Sequence, residues 1–301
     1  MAKSDSNSKI LGHICALFTV TVWGATFIAS KIVLEVLTPT QLMTLRFALA
    51  YIFLRIIKPH HPKIVLKDEL IFLIAGVFGC SLYFWCENAA LLYTQTTNVS
   101  IIVAAAPILT ALIVRIFSKS EKIGANIIYG FIVAMIGIVL VVFNGTVVLK
   151  LDPKGDILSL VAALSWASYS ALQKTSISKY DPIVFSSKIM FYGFVTSVPL
   201  IIINKEYIID YKALLTVENI VCILFLGLLG SGVCYVLWRI SSRNLGIVTA
   251  NNYIYLIPFV TMLVSHFVLK TEKITFMAAV GSVLVILGVI ICNTRGKKKL
   301  N

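Results

Sequence analysis

Ten apolar stretches, each long enough to cross a lipid bilayer, take up nearly all of a 301-residue chain. They fall at about 10–30, 39–57, 69–93, 96–118, 124–144, 155–176, 182–203, 218–243, 246–270 and 274–293. A hydrocarbon core about 30 Å thick needs roughly 20 apolar residues per helical span. Soluble domains carry about 25% charged residues, whereas this chain is 13% charged and 59% hydrophobic. The fold class that follows is an all-α integral membrane protein of about ten transmembrane helices. The first stretch is too long for a secretory h-region and lacks a small-residue cleavage site, so it reads as a retained helix. Residues 1–9 are polar and are expected to be disordered. The six cysteines lie within spans without CxxC spacing, so they read as apolar fillers rather than a metal site or disulfide framework.

A formal net charge of +13 in a soluble protein would suggest nucleic acid. Here the cations sit in short loops, where the positive-inside rule explains them and no nucleic-acid partner is expected. With the N-terminus in the cytoplasm, seventeen of the 26 lysines and arginines fall inside, from Lys3 and Lys9 to the tail at Arg295–Lys299, and seven fall outside. Arg46 and Lys188 remain within spans. Both termini are thus expected in the cytoplasm of a cell-membrane protein, which requires an even number of helices.

The chain also repeats itself. Trp23, Lys31 and Pro39 recur as Trp166, Lys174 and Pro182, all displaced by 143 residues. Gly76, Gly79, Pro107, Thr110, Leu112, Lys119, Glu121, Lys122, Ile123, Gly130 and Gly137 recur 151 residues on, from Gly227 and Gly230 to Gly281 and Gly288. The change of displacement places an eight-residue insertion between the blocks, in the loop around Asn204–Val217, where added length costs little. The expected organisation is one five-helix repeat over 10–144, a loop over 145–154, a second repeat over 155–293 and a basic tail over 294–301. Five spans per repeat is an odd number, so the second repeat enters the membrane from the opposite side. Such inverted repeats mark secondary transporters.

These residues resemble the drug/metabolite transporter superfamily in its EamA branch. The likeness rests on Trp23–Gly24 of helix 1, Pro107 and Pro258 of helices 4 and 9, the turns Ser120–Lys122 and Thr271–Lys273, and the glycine-bearing helices 5 and 10. It extends over about 10–293. It implies two inverted five-helix repeats around a central cavity lined by helices 1, 3, 4, 6, 8 and 9, commonly exporting amino acids or other metabolites.

Helix 1 carries Trp23, Thr26, Phe27 and Ser30 at i, i+3, i+4 and i+7, on one face. Helix 6 repeats the stripe with Trp166, Tyr169, Ser170 and Gln173. Aromatic walls with a few polar groups suit an amphipathic organic solute; interhelical packing is the alternative. Asn98 and Ser100 precede Pro107, and Asn251, Asn252 and Tyr255 precede Pro258. Proline removes a helical hydrogen bond, so both prolines are candidate bending points or static kinks. Tyr83 and Trp238, on helices 3 and 8, complete the expected lining.

Charge inside a span costs about 2.5–3.5 kcal/mol at the helix centre on insertion scales. Arg46, Glu87, Lys188 and Arg239 are the candidates. Arg46 and Glu87 are expected to pair near the outer mouth, as a gate or as mutual neutralisation, while Arg239 lies too far towards the inner end to reach Glu87. Glu121 and Glu272 read as anchors of interfacial turns, and the glycines of helices 5 and 10 as packing or as the contact of a homodimer. The expected function is secondary transport of a small-molecule solute across the bilayer, the export of amino acids or related metabolites by alternating access through a central cavity, without catalytic residues, cofactor or metal. A sugar-phosphate or nucleotide-sugar exchanger is the alternative, although its dianionic substrate needs converging cations. An intramembrane serine protease built on Ser231 and His266 fails the G-x-S-G pattern at Leu229.

Overall fold

The computed structural model describes residues 2–94, 96–117, 124–143, 152–176, 179–208, 210–264, 266–267 and 275–294, without the side chains of 2–6, 96–98, 117 and 174–176. Ten helices are long and apolar enough to cross a membrane: α1 (Asn7–Val33), α2 (Pro39–Ile57), α3 (Leu66–Tyr93), α4 (Val99–Ile116), α5 (Ala125–Phe143), α6 (Pro153–Gln173), α7 (Pro182–Ile203), α8 (Val217–Leu245), α9 (Ile247–Val264) and α10 (Phe276–Asn293). Every one matches an expected stretch. In lipid a backbone must satisfy its own hydrogen bonds, and a helix does so within one segment. The turns Ser120–Lys122 and Thr271–Lys273, with Glu121 and Glu272, lie outside the described residues.

One expectation is corrected. Residues 1–9 were expected to be disordered, but helix extends back to Ala2. Adding turns to an existing helix costs little compared with nucleating one, so the apolar span carries its polar leader along. The short join at 243–246 is a real turn, made by Gly246 at φ 89°, a left-handed conformation that glycine adopts without penalty.

Two pairs of equivalent helices pack antiparallel. Along α2 and α7, Thr38 meets Glu206, Thr44 donates to Ser197 (2.8 Å), Tyr51 packs on Phe191 (5.3 Å) and Lys58 pairs with Asp181 (2.8 Å). Thr38 and Asp181 are the N-caps of these helices, so each cap is tied to the far end of the other helix. At α5 and α10, a Cβ on Gly137 would lie 2.6 Å from the Gly281 carbonyl oxygen, and one on Gly288 would lie 2.5 Å from the Ala134 nitrogen. The four repeated glycines therefore serve packing within the chain. The outer faces of both helices, including Ile128, Ile132, Ile136, Val283 and Ile290, are exposed, as lipid contact requires.

The halves also share their distortions. Wide helical turns occupy Val77–Ser81 in α3 and Phe225–Val233 in α8, and α4 and α9 break near Ala104 and over Asn252–Leu256. Such π-turns disrupt the regular ladder and cluster at functional sites. Here Gly79 in α3 offers its carbonyl to the Tyr235 hydroxyl (2.5 Å), and its repeat counterpart Gly230 offers its own to Trp23 Nε1 (3.0 Å).

The Lys58–Asp181 tie gives a pH prediction. Burial works against the ionised Asp181, yet the Lys58 ammonium and the Ile183 and Val184 N–H groups outweigh it, holding this carboxyl below its ordinary value of 3.8. A depressed carboxylate contributes stability above its unfolded value and loses it as pH falls through the folded one. Asp181→Asn is therefore expected to melt below the wild type at neutral pH. The gap should close below about pH 4, read by thermal unfolding in detergent; a gap independent of pH contradicts the role of this ion pair.

Candidate functional site

The repeated tryptophans of α1 and α6 meet at the middle of the molecule, Trp23 edge-on to Trp166 with centroids 5.2 Å apart. Trp166 Nε1 donates to Asn251 Oδ1 (2.9 Å), as Trp23 does to Gly230. The indoles are thus fixed by α8 and α9, the helices whose backbone is broken or widened beside them.

A cavity opens against this pair, lined by Trp23, Thr26 and Phe27 of α1, Arg46 of α2, Tyr83, Phe84 and Glu87 of α3, Ser100, Val103, Ala104 and Ala106 of α4, Trp166 of α6, Tyr235 of α8, and Ile254, Ile257 and Pro258 of α9. Helix α2, absent from the expected lining set, joins through Arg46. The cavity is narrow: its volume is about 40 Å³, far below the roughly 300–1,000 Å³ of pockets that hold an organic ligand. The aromatic walls must part to seat an organic solute.

Two opposite charges face this space. Arg46, 2% exposed, donates from Nε to Ser231 (2.9 Å) and lies over the Phe84 ring (4.1 Å). Glu87, 7% exposed, accepts from the Tyr83 hydroxyl (2.6 Å). The expected Glu87–Arg46 ion pair is corrected: both line one cavity, yet no pair within 4 Å forms between them among the described residues. Ser231 and Tyr83 hold the two charges apart instead. Of the two residues of the protease alternative, Ser231 accepts from Arg46 Nε and His266 lies edge-on to Phe267 (5.0 Å).

Of the expected lining residues, Trp23, Thr26, Phe27, Tyr83, Glu87 and Trp166 reach the cavity, as do Arg46 and Pro258, which were expected at a gate and a bending point. Others form its second layer. Tyr169 stacks on Trp166 (5.2 Å), Trp238 on Trp23 (5.0 Å), and Ser170 joins Thr110 and Trp166 on Asn251. Asn251 is therefore the hub that aims Trp166, not a free amide. Asn252 donates to Asn293 (2.8 Å), Tyr255 is buried against Phe131, and Ser30 is buried outside the lining. The Asn98 side chain lies outside the described residues. Pro107 and Pro258 stand second in the helical segments that restart after each break, Ala106–Phe117 and Ile257–Val264. That is where proline's missing N–H costs least, so they follow the bends rather than making them. Sequence reasoning missed Phe84 and Tyr235, although they are aromatic counterparts 151 residues apart.

Comparison with known proteins decides the family. The EamA-like transporter family model matches residues 10–143 and again 153–294. The chain belongs to the EamA-like transporter family. An uncharacterized transporter of Archaeoglobus fulgidus is 29% identical over 278 residues, spanning 92% of this chain and 97% of its own. A probable amino-acid metabolite efflux pump of Salmonella typhimurium is 27% identical over 296 residues, covering 92% of each, and its Escherichia coli namesake is 24% identical. One solved crystal structure superposes with a TM-score of 0.73 at 15% identity, covering 95% of this chain and 96% of its own, a likeness of fold alone. This EamA-like protein is thus a multi-pass membrane transporter with its family domain present twice.

Proposed function

We propose that the chain exports amino acids or closely related metabolites by alternating access, the solute's carboxylate seated at Arg46 and its ammonium at Glu87. One observation carries this reading: a single cation and a single carboxylate face an otherwise aromatic and aliphatic cavity without bonding each other. A zwitterion with an apolar side chain complements that arrangement. A dianionic sugar phosphate does not, because Arg46 is the lone cation among the described lining residues and Glu87 repels it. Lys188 is engaged by Glu69 (2.5 Å) and Arg239 by the Gln173 carbonyl (3.2 Å), both outside the lining. The names of the Salmonella and Escherichia relatives favour efflux.

In this reading the second half is inverted and both termini are cytoplasmic. The antiparallel contacts of α2 with α7 and α5 with α10 support the inversion, and the excess of cations on one side supports the orientation. Access alternates by flexing at the breaks before Pro107 and Pro258, with Arg46 moving between its Ser231 contact and the solute.

Binding tests the reading through the Trp23–Trp166 pair, which reports on cavity occupancy by fluorescence. L-Leucine is expected to shift the emission saturably. 4-Methylpentanoate, lacking the ammonium, and isoamylamine, lacking the carboxylate, should each bind at least ~10-fold more weakly, as one lost charge-assisted hydrogen bond is worth about 1.5–3 kcal/mol. Equal affinity for all three overturns the assignment of both charges.

A further inference from the structure

Beyond the cavity, the ends of three helices converge on one buried polar cluster that the solute site does not use. Arg239 of α8, 1% exposed, lies over the Phe185 ring of α7 (3.7 Å) and donates to the Gln173 carbonyl of α6 (3.2 Å). Ser186 and Ser187 follow Phe185, and Ser242 lies one turn beyond Arg239 on the same helix. The hydroxyls of Ser186, Ser187, Ser241 and Ser242 and the Gln173 Oε1 are all buried without a hydrogen-bond partner. Each of these residues is 1% exposed or less. Buried polar groups in folded proteins are almost always satisfied, and polar residues at membrane depth mark solute and ion paths. Five orphaned oxygens on the helix ends that meet at Arg239 and Phe185 therefore point to water or a solute as their missing partner.

Position gives the cluster a direction. Trp238, the residue before Arg239, packs on Trp23 and Trp166 at the cavity wall. On the other side Phe185 leads through Phe72 (5.3 Å) to Tyr180 (5.1 Å) in the loop before α7. The cluster thus spans from the cavity to the face that carries the Lys58–Asp181 tie. The first half repeats it only in part: the counterparts of Gln173, Ser187 and Arg239 are the polar but neutral Ser30, Thr44 and Asn88, whereas those of Ser186, Ser241 and Ser242 are Met43, Ala90 and Leu91.

We infer that Gln173, Ser186, Ser187, Arg239, Ser241 and Ser242 form a hydrated passage between the cavity and this face, with Arg239 as a transient station for the solute's anionic group. The passage rests on the transport reading. It makes the two ways out of the cavity chemically unequal, because a neutral asparagine, Asn88, stands in the first half where the second has the Arg239 cation.

Thiol labelling in lipid nanodiscs tests it, with the unsubstituted protein run alongside to account for its six cysteines. Ser242→Cys is expected to react above that background with both sulfonate-bearing and trimethylammonium-bearing methanethiosulfonates, and about fivefold faster with the anionic one, because a buried cation concentrates anions. Adding Arg239→Gln should abolish that preference and Arg239→Lys should keep it, each variant first shown to elute and melt as a folded protein. Ala90→Cys, at the fully buried counterpart of Ser241 in the first half, should stay at background. No labelling of Ser242→Cys above background overturns the passage, as does equal labelling of Ala90→Cys. A preference that survives Arg239→Gln overturns the station. Flux through the unsubstituted protein is scored separately, so solute transport without labelling refutes the passage and leaves the carrier standing.

Discussion

Glu87→Gln is expected to lower solute flux about 10- to 100-fold while the protein still folds, because the loss of one charge-assisted contact to the solute is worth about 1.5–3 kcal/mol. The glutamine amide keeps the size of the side chain and still accepts from the Tyr83 hydroxyl, now 2.6 Å away, so the wall keeps its shape and loses its charge. Arg46→Gln should cut flux as strongly and should also reduce stability, since it removes the donor to Ser231 and the cation over Phe84. The double variant tells recognition from mutual neutralisation. If the two charges only compensate each other, the double variant regains flux; if each holds one end of the solute, it stays as inactive as either single variant. Flux in reconstituted vesicles, with thermal unfolding alongside, reads both.

The second large effect is on the fold. Gly288→Val is expected to destabilise the protein by about 3 kcal/mol or more, because overpacking a tight contact costs typically 1–3 kcal/mol and here the obstacle is backbone. A Cβ at Gly288 would sit 2.5 Å from the Ala134 nitrogen and 2.7 Å from its Cα, so α5 and α10 would have to separate. In lipid, close packing between small residues is the main source of helix association. Ile290→Ala, on the exposed outer face of the same helix, should change stability by less than about 0.5 kcal/mol. Similar denaturation of both variants in a mixed-micelle titration would contradict the glycine seam.

Apolarity made most of the fold legible. A bilayer leaves the backbone few options, so ten apolar stretches became ten helices, with even the tight join at Gly246 in place. The polar leader misled because composition reports on burial, whereas helix extension from Ala2 follows from cooperativity along the backbone. In the site, the Trp23 and Trp166 stripes were readable because helical spacing puts their residues on one face. The layer that each residue occupies was not. Tyr169 and Trp238 share the pattern of the lining residues yet sit behind the tryptophans, and Asn251 is consumed by Trp166. Arg46 and Glu87 were identifiable as unusual by charge alone. What held them apart was not, because Ser231 and Tyr83 are ordinary residues whose roles come from the widened turn of α8 and from one turn of α3.

Counterflow in proteoliposomes bears most directly on the central claim that a zwitterionic solute crosses through the cavity between Glu87 and Arg46. Vesicles loaded with unlabelled L-leucine or L-phenylalanine are expected to accumulate the labelled form transiently and saturably, and Glu87→Gln vesicles should not. Uptake no greater than in protein-free liposomes across a full panel of labelled amino acids, or undiminished counterflow in Glu87→Gln, would contradict it.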